Sequence, residues 1–198
     1  MAKLKIFTFP DLVLTQIAKP LNRVEKSYFK LADDMLETMY EAPGIGLAAN
    51  QVGILERMIV IDTEYDYDEL EGSDDGVIRN RKPRVIFNPE IIKREGSIIF
   101  SEGCLSVPEY NADVKRAEKI KLQYTDIDGL TQTLDAEGLL AVAIQHEIDH
   151  LDGKLFIDRL SILKKEMIRK KLREERKLRE AEEDMLKPRS SRKKAKGF

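Results

Sequence analysis

Apolar positions recur along this chain with two different periods, and the switches between them divide it into elements. Val24, Tyr28, Leu31, Met35 and Met39 lie four, three, four and four residues apart, which lines one face of a helix. Ala42, Pro43 and Gly44 end that helix, because proline removes a backbone donor and glycine frees the backbone. GIGLAANQVG, residues 44 to 53, is rich in small residues and reads as a loop where backbone approaches something closely. RMIVID, residues 57 to 62, is a continuous apolar run and predicts a buried strand. From 63 to 84 the chain is acidic, contains Gly72, Ser73 and Gly76, and shows no apolar period, so a surface loop is expected. RVIFNP and SIIF predict short strands. Ile120, Leu122 and Tyr124 alternate with polar neighbours as a half-exposed strand, Asp128-Gly129 signals a hairpin, and TQTLDA is its return. GLLAVAIQHEIDHL, residues 138 to 151, is apolar with few charges and predicts a buried helix that Asp152-Gly153 stops.

Beyond Ser161 the pattern thins. Leu163, Met167, Leu172 and Leu178 are too widely spaced for a deep core, so a charged helix is expected to about Met185, and the final KPRSSRKKAKGF reads as disordered. The expected fold is α+β: a mainly antiparallel sheet packed around a central buried helix, with a charged C-terminal helix appended. Residues 1–162 would form the catalytic domain and 163–198 the basic helix and tail. The tail changes how the net charge of −2 is read. From Ser161 onward there are 15 Lys and Arg against 7 Asp and Glu; the first 160 residues carry 19 against 29. An acidic body is a poor general surface for nucleic acid, whereas a basic tail suits local phosphate contacts. No apolar run approaches the roughly 20 residues of a membrane span. MAKLKIFTFP lacks the apolar stretch and cleavage site of a signal peptide. The single cysteine excludes an internal disulfide, and a reducing, cytoplasmic setting is expected.

The chemistry is concentrated in HEIDH. His146 and His150, the chain's two histidines, are four apart, so a helix puts both imidazoles on one face, able to bind one metal ion. Glu147 follows the first and would project beside the metal, where it can handle a proton of bound water. The alternative is a buried helix that happens to include two histidines, but unpaired His and Glu are costly to bury. A tetrahedral site then lacks a third protein ligand. A downstream Glu would come from the charged tail, a poor place for a rigid ligand. Cys104, in the turn-like EGCLSVP, is the other choice. Alone it reads as an inert small hydrophobe, yet beside a histidine pair short of one ligand it completes a Cys-His-His set with an open fourth position.

GIGLAANQ (44–51), EGCLS (102–106) and QHEIDHLDG (145–153) together resemble the three motifs of the peptide deformylases, in the family's order, and the resemblance spans roughly residues 3 to 165. It implies hydrolysis of the N-formyl group from the initiator methionine of nascent polypeptides, with N-formyl-methionyl peptides as substrates. It implies Cys104, His146 and His150 as metal ligands and Glu147 as general base and acid. Gln51 and the backbone N–H of Leu105 would hold the oxyanion. Gly46 would lie along the substrate backbone, and Ile45, Leu139 and Val142 would help line the methionine pocket. The resemblance makes Fe2+ the expected metal, replaceable by Zn2+, Ni2+ or Co2+; ligand type alone would put zinc first. The tail resembles the helix by which bacterial members dock on the ribosome, where rRNA phosphates would be its partners. Glu102 and Arg116 are candidates for support behind the ligands, Arg116 pairing with Glu102 or Asp149. Two features depart from the family's usual pattern: the long acidic 63–84 segment, and Asn111 where some members have an arginine that contacts the peptide.

Overall fold

The computed structural model describes residues 3–69 and 76–186. In chain order the elements are α1 (Ser27–Glu41), β1 (Gly46–Ala48), β2 (Met58–Ile61), β3 (Asp66–Glu69), β4 (Gly76–Arg79), β5 (Arg84–Glu95), β6 (Ile98–Cys104), β7 (Val107–Arg116), β8 (Lys119–Thr125), β9 (Thr131–Glu137), α2 (Gly138–Leu151) and α3 (Ile162–Leu186). Five strands form the main sheet in the order β1-β2-β5-β8-β9, and β3-β4 and β6-β7 form separate two-stranded ribbons. Each of these strand pairs is antiparallel.

The main sheet is covered on both faces, which explains the unbroken apolar run of β2. Ile59 and Ile61 point to a core shared with Ile144, Ile148 and Leu151 of α2. Met58 and Val60 point the other way, against Met35 and Met39 of α1. All four β2 side chains are fully buried, each stabilising the fold by about 1.5–3 kcal/mol relative to exposure. A third core lies between β7, the N-terminal Phe9 and Leu14, and Leu155, Phe156 and Ile157. It lies against the ribbon that carries Cys104.

Several expectations need correction. GIGLAANQVG is not a loop: it contains β1 and a 3-10 turn at Ala49–Val52. Its small residues fit because β1 pairs with β2 on one side and approaches α2 on the other. The acidic 63–84 segment is not irregular in its described part, since β3 and β4 pair from Asp66↔Arg79 to Glu69↔Gly76. The two short strands are longer than their apolar letters indicate, β5 running to Glu95 and β6 to Cys104. EGCLSVP is turn-like as expected, with Leu105 and Ser106 forming the tight turn between β6 and β7. On α3, Leu163, Met167 and Leu178 are exposed, but Leu172 is not: it is 1% exposed in the third core, beside Ile168. The segment expected to be disordered, 187–198, lies outside the described residues. Among the described residues no helix is long and apolar enough to cross a membrane.

Candidate active site

Strand β9 runs directly into α2 through Gly138, whose φ of +58° is one that L side chains rarely adopt. The helix is buried from Ala141 to Leu151. Its final carbonyls are satisfied from elsewhere in the chain: the Asn50 amide donates to the His150 carbonyl, and the Ala18 N–H to that of Leu151. Gly153 ends it at φ +70°, where a Cβ would sit 2.6 Å from the Thr15 carbonyl oxygen.

One turn of this helix carries His146 and His150, with ring centroids 5.0 Å apart. The β6–β7 junction delivers Cys104 to them, its Sγ lying 3.1 Å from His150 Nε2. One ligand atom from each of Cys104, His146 and His150 lies within 4.8 Å of the others. Burial pushes the Cys104 thiol up, but the charge of His150 and hydrogen bonds from both imidazoles outweigh it and hold the thiol well below its ordinary range. The Ser106 N–H also donates to the sulfur at 3.4 Å. This donor set, a sulfur and two imidazoles gathered beside a cavity, suits a divalent transition metal.

Behind the histidines stands a buried ionic network. His146 Nδ1 lies 2.8 Å from Glu102 Oε2, so its N–H donates there and Nε2 keeps a free lone pair for a metal. Arg116 donates to both oxygens of Glu102, at 2.6 and 2.8 Å, and also to Asp149. Both partners proposed for Arg116 are therefore real, and Arg159 joins the network through Asp149. Burial pushes Glu102 and Asp149 up, but the arginines, with His146 for Glu102, outweigh it and hold both carboxyls below their ordinary values.

A cavity of about 470 Å³ opens beside the ligands. Ile45, Gly46, Gln51, Cys104, Leu105, Leu139, Val142, His146 and Glu147 all line it. His150 lies behind, fully buried. Asn111 is not part of the wall; it sits where a Cβ on Gly103 would meet its Oδ1 at 2.4 Å. Glu147 is buried and its Oε2 has no hydrogen-bond partner. Burial raises this carboxyl above its ordinary value against the lowering charges of the two histidines. Gly46 is a glycine for a steric reason: a Cβ there would lie 2.4 Å from Glu147 Oε1. The Gln51 amide is oriented by its surroundings. Oε1 accepts from the Ala48 N–H at 2.8 Å, so Nε2 must face the site, where it lies 3.1 Å from Ser106 Oγ and 3.7 Å from Cys104 Sγ. It is thus both a turn-capping amide and a donor directed at the site. Ser106 was within reach of sequence reasoning, being part of EGCLS. Phe156, which stacks on His146 at 6.2 Å, carries no signal in the sequence.

Comparison with known proteins agrees with this site. Residues 3–166 match the family described as polypeptide deformylase. A peptide deformylase of Alkalilimnicola ehrlichii is 49% identical over 172 residues, covering 87% of this chain and 90% of that protein. Peptide deformylase 2 of Xanthomonas campestris pv. campestris is 50% identical over 180 residues, covering 89% and 98%. The crystal structure of a peptide deformylase from Legionella pneumophila superimposes with a TM-score of 0.75 at 42% identity, covering 94% of this chain and all of that one. The peptide deformylase of Ehrlichia chaffeensis, solved in complex with actinonin, gives a TM-score of 0.77 at 38% identity over 88% and 98%. With its three motifs gathered around one cavity and its relatives matched over nearly their full length, the chain belongs to the polypeptide deformylases, metal-dependent hydrolases that remove the N-formyl group from the initiator methionine of nascent proteins.

Proposed function

We propose that Cys104, His146 and His150 hold one divalent ion, Fe2+ in the cell, and that Glu147 carries the proton transfers of deformylation. The observation that supports this most is the juxtaposition at one cavity of a depressed thiol, an imidazole on the wall, a second imidazole just behind it, and a buried carboxyl whose Oε2 has no partner. A divalent ion bound there supplies Lewis-acid activation of water and of the formyl carbonyl. Glu147 takes a proton from the attacking water and returns one to the departing amine, a task suited to a carboxyl whose affinity for protons burial has raised. Gln51 Nε2 and the Leu105 N–H stabilise the oxyanion as charge develops on the formyl oxygen. Val142, Leu139 and Ile45 accept the methionine side chain, and Gly46 on the free edge of β1 lets the peptide backbone come close.

α2 is on this reading the pivot around which sheet and ribbon assemble the site, within a catalytic domain of residues 1–162. Residues 163–198 serve a partner on this reading: the basic surplus beyond Ser161 fits ribosomal RNA phosphates, in the cytoplasm where formylated nascent chains emerge. Formate release from formyl-Met-Ala under anaerobic conditions tests the core of the proposal. Glu147→Ala should be inactive yet metal-loaded, and Cys104→Ala should lose its metal; full metal content in Cys104→Ala contradicts the ligand set. Ribosome docking is tested by reversing the exposed Lys164, Lys170 and Lys177 to glutamate, which should weaken ribosome binding and its salt dependence while leaving dipeptide turnover unchanged.

A further inference from the structure

The acidic segment between β2 and β5 has no part in the chemistry above, yet it touches the cavity wall at Gly44 and Ile45. Gly44 links α1 to β1 and lines the cavity. Its N–H donates to the Met39 carbonyl at 2.9 Å, and its own carbonyl accepts from the Tyr65 hydroxyl at 3.1 Å. A Cβ on Gly44 would stand 3.1 Å from Leu105 Cδ1, so this backbone packs directly against the side chain of the residue proposed to supply the oxyanion N–H. The neighbouring Ile45 carbonyl accepts from the Asp62 N–H at 3.0 Å.

Tyr65 is itself held from the far side. Its ring meets that of Tyr40 edge-on, with centroids 5.2 Å apart, and the Arg81 guanidinium covers Tyr40 at 4.2 Å. Tyr40 donates its hydroxyl to Asp62 at 2.6 Å. The Asp62 carboxylate, 1% exposed, also accepts from the backbone N–H groups of Glu64 and Lys82, at 3.0 and 2.6 Å. The arms that lead into and out of the β3–β4 ribbon are therefore pinned to one buried carboxylate. Burial, then the charge of Asp62, raises the Tyr65 phenol above its ordinary value, so it remains a donor at neutral pH.

We infer that Tyr65 is a positioning residue for substrate binding: its hydroxyl fixes the Gly44 carbonyl, and through it the Gly44–Gly46 wall on which the formyl-methionyl peptide lies. The ribbon is a buttress of the cleft. This rests on the reading of the cavity as the substrate cleft, and the experiment separates the two.

Steady-state kinetics with formyl-Met-Ala-Ser on metal-loaded enzyme compare wild type, Tyr65→Phe and Val142→Phe. Tyr65→Phe keeps the ring and its edge-on contact with Tyr40 and loses only the hydrogen bond. It should raise KM by about three- to tenfold, the range one neutral hydrogen bond supplies, with kcat within about twofold. Tyr65→Leu, which loses the ring contact as well, should raise KM further. Val142→Phe fills the cavity and should raise KM whatever Tyr65 does. If Val142→Phe raises KM and Tyr65→Phe does not, or if Tyr65→Phe lowers kcat at constant KM, the buttress is overturned and the cleft stands. If Val142→Phe leaves KM unchanged, the cleft reading falls, and the role of Tyr65 with it.

Discussion

Replacing Arg116 by methionine keeps a long chain in place and removes its charge. The guanidinium side chain is 1% exposed and is the shared partner of Glu102 and Asp149. Without it Glu102 keeps only His146, and Asp149 keeps only Arg159. Removing one member of a buried ion pair costs about 3–5 kcal/mol, most of it the desolvation left uncompensated on the other. For a chain of this size each kcal/mol moves the melting midpoint by about 2–4 °C, so Arg116→Met should melt about 6–20 °C lower at neutral pH. The pH dependence gives an independent check. In the wild type both carboxyls sit below their ordinary values. Their contribution to stability is therefore present above the unfolded-state value, about 4, and lost as pH falls through the lower folded value. In Arg116→Met a protonated carboxyl needs no cation, so the deficit should be widest near neutrality and shrink on acidification. Thermal unfolding of metal-free protein at about pH 7 and about pH 4.5 reads both effects without interference from metal release. A midpoint within about 3 °C of wild type at neutral pH, or a deficit that widens in acid, refutes the reasoning.

Gly46→Ala places a methyl group against the Glu147 carboxylate and should lower kcat/KM by about a hundredfold with metal content unchanged, as measured by formate release and metal analysis. Leu172→Ala should cost about 2–5 kcal/mol in denaturant unfolding, because that side chain is buried in the same core as Phe9, Leu14 and Phe156; Leu178→Ala, on an exposed part of the same helix, should cost less than about 0.5 kcal/mol. Ser106→Ala removes one acceptor of the Gln51 amide and should lower kcat by about two- to tenfold while KM holds.

The candidate metal site was legible because its residue types are scarce and its two histidines are spaced by one helix turn: two histidines and one cysteine leave few alternatives. β2 was legible because both its faces are buried, so every letter is apolar. β7 was not. Only Val107, Val114 and Arg116 are buried within it, it holds Pro108, and Glu109 breaks its alternation at φ +67°. The β3–β4 ribbon hid for a related reason: DYDE and GVIR carry little apolar period, and what anchors them is the buried Asp62 with Tyr65 next to β3 and Tyr40 far back in the chain. Leu172 was misjudged because α3 buries one leucine in a small pocket and no continuous stripe. The small residues of 44–51 announced a close approach, but its object, Glu147 for Gly46, lies a hundred residues away and only the fold reveals it.

The loopless passage from β9 to α2 sets where this chain can change its length. β9 is registered against β8 at seven consecutive pairs, from Lys119↔Glu137 to Thr125↔Thr131, and the helix starts at the next residue. One residue inserted at that joint would turn the helix by about 100° and slide it about 1.5 Å. That would carry both imidazoles off the sulfur, which is delivered by a different ribbon and would not follow. Length variation among descendants of this sequence should therefore avoid residues 131–151 and collect at turns whose ends are pinned independently, so that an insertion ends in solvent and leaves the ligand geometry where it was.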